Sequence, residues 1–220
     1  MKKVKVSEIL LLFVLLLAFL PGIIVYQQLP DQVPTHWNIH GEINGYGSKV
    51  TVVLMPLLNF CLYFFLKYIP RIDPKAKNYF YFSNSYTILR WAIHLFMAGI
   101  QFVILWSTYQ GVKGAAPIDP SKFILIGVSL LFIVIGNYMG RFRHNYFVGI
   151  KNPWTLASEE VWDKTHRLGS KVWVASGIIG LFGLFFGNEL RVIFLLIPIL
   201  VGNVFLTGYS YWTFRKLSVD

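Results

Sequence analysis

Six long apolar blocks dominate this 220-residue sequence and limit what it can fold into. A helix needs about 20 mostly apolar residues to cross the roughly 30 Å of hydrocarbon in a bilayer. The blocks approach that length, and they are not broken into the apolar stripes of a soluble domain. They cover residues 9–26, 50–66, 86–109, 123–139, 172–186 and 192–214. We therefore predict an all-α integral membrane protein, a bundle of about six transmembrane helices.

The distribution of charge predicts the orientation of this bundle. Charged residues are only 14% of the chain, yet the net charge is +10. Fifteen of the 20 Lys and Arg residues fall in segments 1–8, 67–85, 140–171 and 215–220. Because basic residues concentrate in cytoplasmic loops, both termini are predicted to be cytoplasmic. The same placement beside apolar blocks argues against direct nucleic-acid binding, which a basic soluble protein would suggest.

The predicted outer loop, residues 28–49, is rich in Pro and Gly, which favour extended backbone and tight turns. His36 and His40 lie four residues apart in it, and Glu42 follows. The zinc-protease pattern needs a helix with Glu directly after the first His, but Trp37 stands there. We therefore favour a structural or partner-binding loop over a metal site, and we predict no cofactor.

The predicted inner loop, residues 140–171, contains a helix signal. Ser158 is a typical N-cap, Glu159 suits a first turn and Gly169 suits a stop. These signals predict one short interfacial amphipathic helix at the inner membrane surface. Its apolar face would hold Val161, Trp162, Thr165 and Leu168.

Few polar residues interrupt the blocks. Arg90 and His94 share one face of the third, and interfacial anchoring of Arg90 is favoured over a buried polar site because a charge at the bilayer centre is costly. Asn59, Gln101 and Asn137 are predicted to form interhelical hydrogen bonds. The blocks contain no Asp or Glu, so the carboxylate relay of many transporters is not expected, and without a recognisable catalytic motif we do not expect an enzyme.

Two glycine pairs have the spacing that lets membrane helices approach closely. They are Gly136 with Gly140, and Gly183 with Gly187. Such pairs are common by chance, and we predict that they pack this protein's own helices and do not define a dimer.

Both loops resemble sequences of a known family. Residues 149–156, GIKNPWTL, are followed by residues 165–171, THRLGSK, and are similar to the signature of the SdpI/YfhL family of bacterial immunity proteins. The outer loop, from PTHWN at 34–38 to GYGSK at 45–49, resembles the small domain of unknown function that often precedes that signature. This predicts a two-span unit, residues 1–78, followed by a four-span unit, residues 79–220.

The resemblance implies a protein of the bacterial cell membrane that gives resistance to a secreted antimicrobial or toxic peptide. It also implies a receptor role, in which a small cytoplasmic transcriptional repressor is recruited to the membrane. Membrane lipid is the remaining expected partner. A small-solute or peptide transporter is the alternative function, and a membrane enzyme is a third.

Two groups of residues are candidates for these contacts. The candidates for toxin binding in the outer loop are His36, Trp37, Asn38, Glu42 and Tyr46. The candidates for the cytoplasmic partner are the signature residues Pro153, Trp154, Thr155, Ser158, Glu159, Trp162, His166, Arg167 and Gly169. In this hypothesis, toxin binding outside shifts a helix arrangement and repositions the inner segment.

Overall fold

The computed structural model describes residues 6–113 and 120–218, and six helices within them are long and apolar enough to cross a membrane. They are Val6–Gln28, Thr51–Ile72, Ala76–Val112, Pro120–Met139, Glu159–Phe185 and Asn188–Leu217. Helices form because hydrocarbon offers no water to satisfy backbone polar groups. The predicted six-span bundle is confirmed, and the chain is a multi-pass membrane protein. Both termini, whose side was predicted from charge, lie outside the described residues.

Several spans are built from more than one helical segment. The first comprises α1, α2 and a 3₁₀ turn, and Pro21 stands in the first turn of α2, where its missing N–H is tolerated. The segments are α1 (Val6–Leu17), α2 (Leu20–Val25), a 3₁₀ turn (Tyr26–Gln28), α3 (Thr51–Ile72), a 3₁₀ turn (Ala76–Phe82), α4 (Ser83–Val112), α5 (Pro120–Met139), α6 (Pro153–Ala157), α7 (Glu159–Phe182), a 3₁₀ turn (Gly183–Phe185) and α8 (Asn188–Leu217).

The loop between the first two spans forms an antiparallel β-hairpin, an addition to the predicted all-α architecture. Strand β1 (Gln32–Trp37) pairs with β2 (Ile43–Ser48). Val33 is fully buried and packs with Val52 and Leu105, which seats the hairpin on α3 and α4. We call this the hairpin end of the bundle, and the opposite end, which carries residues 140–158, the loop end.

The prediction of a short interfacial helix is wrong, because the helix is much longer than predicted. Ser158 does cap a helix, accepting the backbone N–H of Val161, but that helix is α7 and it continues through Gly169 to Phe182. Gly169 is a packing glycine, since a Cβ there would lie 2.6 Å from Cδ1 of Ile150. The predicted lipid-facing side is likewise buried in protein, with Trp162 fully enclosed.

The closest helix packing joins α5 to α7. A Cβ on Gly136 of α5 would lie 2.8 Å from the backbone nitrogen of Val174, and one on Gly177 of α7 would lie 2.5 Å from the carbonyl oxygen of Ser129. The prediction that Gly136 packs the protein's own bundle is confirmed. Gly177 belongs to neither predicted pair.

Orientation is the first testable point. In a Cys61→Ser background, Ser48→Cys at the hairpin end should react with a membrane-impermeant thiol reagent on intact cells. Ala157→Cys at the loop end should react only after permeabilisation, because basic segments face the cytoplasm. Both positions are exposed, and Ala157 spares the Ser158 cap. The reverse labelling pattern would contradict the predicted orientation.

Candidate functional site

Side-chain hydrogen bonds and an ion pair hold the hairpin together at its end of the bundle. Asn38 closes its turn, since its side-chain oxygen accepts the backbone N–H groups of His40 (2.9 Å) and Glu42 (3.0 Å), and its amide donates to the Glu42 carboxylate (2.8 Å). At the base of the hairpin, Asp31 and Lys49 form an exposed ion pair of 2.8 Å. The hydrogen bond and charge of Lys49 lower the pKa of Asp31, and the same hydrogen bond raises the pKa of Lys49.

Beside the hairpin lies an apolar cavity of about 530 Å³, a size typical of ligand pockets. Strand β1 contributes three of its lining residues, and α4 and α5 supply most of the others. The lining residues are Thr35, His36, Trp37, Leu95, Phe96, Gly99, Ile100, Phe102, Val103, Ile104, Pro120, Phe123, Ile124 and Gly127. The indole N–H of Trp37 is buried and has no acceptor among the described residues. The cavity therefore offers mainly apolar contact area.

The five predicted toxin-binding residues do not lie at one place in the structure. His36 and Trp37 line the cavity, whereas Asn38 and Glu42 are bound to each other in the turn. Tyr46 stands on β2 with 60% of its surface exposed. As for the metal alternative, the described part of the chain holds no group of three or more His, Cys, Asp or Glu residues that could bind an ion.

At the loop end, two side chains of α7 hold the loop that precedes it. The indole N–H of Trp162 donates to the carbonyl of Phe142 (2.8 Å), and Nε2 of His166 accepts the backbone N–H of Ile150 (2.9 Å). The two rings stack 3.9 Å apart. Gly149 has a φ of 122°, a conformation that favours glycine, and a Cβ there would strike the His166 ring. Trp162 and His166 are therefore structural residues inside the protein.

A polar cluster joins this loop to the segment between α3 and α4. Asp73 is 3% exposed and accepts the Tyr79 hydroxyl (2.9 Å) and the backbone N–H of Tyr146 (3.0 Å). Lys75 Nζ lies 2.7 Å from Nδ1 of His144 and 2.8 Å from the Glu159 carboxylate. Burial and the nearby Lys75 lower the pKa of His144, so the imidazole is neutral near pH 7.

Sequence reasoning missed most of this cluster. Asp73 carries a usable signal, because it is the single acidic residue in a basic segment, 67–85. His144 carries none, since its partners lie 69 residues before it and 15 after it.

Some of the predicted signature residues are buried and others are exposed. Four of them are fully buried: Thr155, Trp162, His166 and Gly169. Trp154 packs on Tyr211 of α8, with ring centroids 5.1 Å apart. The remainder are Ser158, the cap of α7, and the exposed residues Pro153, Glu159 and Arg167. A partner protein can therefore reach only part of the signature.

Within the bundle, α1 and α4 are joined by a buried ion pair, so the predicted interfacial anchoring of Arg90 is wrong. The Arg90 guanidinium binds the Glu8 carboxylate through two contacts, 2.5 and 3.1 Å, and lies over the Tyr63 ring. Glu8 precedes the first apolar block by one residue, yet it belongs to the same helix. Arg90 is 5% exposed because this carboxylate compensates its charge.

The predicted interhelical hydrogen bonds are present for two of three residues. The Asn59 carbonyl oxygen pairs with Nδ1 of His94 at 2.7 Å, and the Gln101 amide donates to the backbone carbonyl of Ala18 at 2.7 Å. Asn137 instead lies exposed on α5. These bonds join α3 to α4, and α4 to the first span.

Two segments of the chain match known protein families. Residues 141–211, which begin at the loop and end in α8, match the SdpI/YfhL protein family. Residues 13–60, which include the hairpin, match a domain of unknown function, DUF1648. The resemblance predicted from the two loops is confirmed, and the chain is a multi-pass membrane protein whose second half contains a segment that matches the SdpI/YfhL family.

One curated relative is similar along almost the whole chain. The immunity protein SdpI of Bacillus subtilis strain 168 is 28% identical over 215 residues, which are 96% of this chain and 98% of the relative. No solved structure matches the chain.

The buried ion pair yields a stability prediction. Glu8→Gln leaves the Arg90 charge buried without a carboxylate, so the free energy of unfolding should fall by about 3 kcal/mol or more. Glu8→Leu combined with Arg90→Leu should recover most of that loss because neither charge remains. Thermal unfolding in detergent measures both effects.

A matched control is Glu189→Gln, which makes the same change at an exposed position in the first turn of α8. Its effect should stay below about 1 kcal/mol. Equal effects of Glu8→Gln and Glu189→Gln would contradict the importance of the buried pair.

Proposed function

We propose that this protein confers immunity against a secreted antimicrobial or toxic peptide at the bacterial plasma membrane, and that it is not an enzyme. Similarity to an immunity protein over 96% of the chain supports immunity. The observation that carries the peptide-binding part is the apolar cavity beside the hairpin, with the Trp37 side chain among its lining residues.

The cavity suits a hydrophobic peptide segment. Its wall is almost wholly aliphatic and aromatic, and such walls bind apolar side chains. Asp31 and Glu42 provide acidic groups on the hairpin for basic residues of the peptide.

A receptor role extends this proposal. The cavity is lined by α5, which packs tightly on α7, and the first turns of α7 carry exposed signature residues. Peptide binding that displaces α5 would therefore also displace α7 and the loop end. We propose that exposed Glu159 and Arg167 there contact a small cytoplasmic transcriptional repressor.

Transport of a small solute or peptide is the second candidate function. The observation that favours it is the Glu8–Arg90 pair, a carboxylate and a guanidinium within the spans. Uptake of labelled peptide into proteoliposomes would distinguish the two functions, because an immunity protein that only binds the peptide produces no flux.

Trp37→Ala tests the peptide site. The variant should require about thirtyfold less peptide for half-maximal killing, since truncating a buried aromatic anchor costs about 2 kcal/mol. Trp37→Phe keeps an aromatic ring in the cavity wall, and should retain more protection than Trp37→Ala. The assay is growth of cells carrying equal membrane amounts of each variant.

The control for this test is Trp212→Ala, which removes an exposed tryptophan of α8 that does not line the cavity. Its protection should equal that of the unsubstituted protein. Full protection by Trp37→Ala at normal abundance would contradict peptide contact at the cavity.

Arg167→Ala tests the receptor role. Arg167 is exposed, so its removal should leave the protein folded and abundant while recruitment of the repressor falls more than peptide resistance does. Recruitment is measured as the membrane-bound fraction of a tagged repressor. Retained recruitment would contradict this role, and His166→Ala is unsuitable for the test because its buried ring holds the loop.

A further inference from the structure

A polar cleft of about 460 Å³ opens at the loop end, outside the site proposed for the peptide. It lies between the 3₁₀ turn with the start of α4, the residues that follow α5, and the second and third turns of α7. Its lining residues are Phe80, Tyr81, Phe82, Ser83, Asn84, Ser85, Gly140, Arg141, Arg143, Asp163 and Arg167. Three guanidinium groups thus share one cleft with several hydrogen-bonding side chains.

The positive charge of the cleft is only partly compensated. Asp163 is the single carboxylate in its lining, and it lies 3.6 Å from Arg143. Arg141 lies over the Tyr138 ring, and neither Arg141 nor Arg167 has a carboxylate within 4.0 Å among the described residues. The cleft therefore carries a net positive charge, which favours binding of an anion.

The position of the cleft indicates which anion it meets. Arg141 follows the last residue of α5, Met139, by only two positions, so it stands where a span leaves the hydrocarbon. Phe80 and Tyr81 on the rim are 81% and 72% exposed. Exposed aromatic rings beside basic residues are typical of the headgroup level of a bilayer.

We propose that this cleft binds the phosphate of an anionic phospholipid headgroup. Arg141 and Arg167 supply planar guanidinium groups, which bind phosphate through paired hydrogen bonds. The exposed side chain of Asn84 is placed to donate to the headgroup. The lipid's acyl chains lie against the apolar spans, and Phe80 and Tyr81 cover the glycerol region. A phospholipid fits better than an acidic protein because the cleft opens at membrane level.

Lipid titration tests this proposal on the full chain in phosphatidylcholine nanodiscs. Phosphatidylglycerol and phosphatidylcholine of equal chain length are added separately, as are inorganic phosphate and a glutamate-rich peptide, and binding is measured by native mass spectrometry. Phosphatidylglycerol should bind at least about fivefold more tightly than phosphatidylcholine, as expected for one guanidinium contact. Equal binding of the two lipids overturns the proposal. So does occupation of the site by free phosphate or by the acidic peptide in preference to the lipid.

Two variants locate the binding site, and both leave Arg167 in place because the proposed receptor role uses it. Arg141→Gln should weaken phosphatidylglycerol binding by about fivefold. Asn84→Asp places a carboxylate in the first turn of α4, which should raise thermal stability while lowering affinity for the lipid. A variant that is more stable but binds the lipid more weakly has lost the binding site and has kept the fold.

Arg215→Gln is the matched control, because Arg215 is an exposed arginine near the end of α8 that does not line the cleft. It should leave phosphatidylglycerol binding unchanged. If Arg141→Gln and Asn84→Asp bind the lipid as tightly as the unsubstituted protein, or if Arg215→Gln weakens binding equally, the cleft is not the lipid site.

Discussion

The close approach of α5 to α7 is the contact on which the loop end depends. Gly136 and Gly177 let the two helices meet backbone to backbone, with the Ser129 carbonyl against Gly177. This places the first turns of α7 beside the loop that α5 leads into. Trp162 and His166 can then hydrogen-bond to that loop's backbone. In a bundle without this approach, the same two side chains would have no loop to hold.

The same contact gives the two ends of the protein a physical connection. One side of α5 lines the apolar cavity at the hairpin end, through Phe123 and Gly127, and another side packs on α7. A tightly packed helix pair moves as a unit more readily than it deforms, since protein interiors have little free volume. A ligand beside Trp37 and a partner beside Arg167 would therefore act on one shared pair of helices.

Local sequence signals predicted much of this architecture, and long-range contacts account for the errors. The apolar blocks and the Ser158 cap act within one helix, and both were predicted correctly. Gly169 was assigned to a helix end because local sequence cannot show Ile150 packing on it. Arg90 was placed at an interface because its counter-charge, Glu8, lies 82 residues away. The peptide and partner residues stay predictions, although burial already shows which of them a partner can reach.

The Glu8–Arg90 pair also has a consequence for biogenesis. Inserting an arginine without a counter-charge into the hydrocarbon is costly, and the third span carries Arg90. Synthesis runs from the N-terminus, so α1 with its carboxylate is in the membrane before that span emerges from the ribosome. Glu8 of the first helix is thus already in place to compensate the charge of Arg90 when the third span inserts. A nascent chain that lost this helix would present its third span to the translocon with an uncompensated charge, and the defect would be seen as failed insertion and degradation.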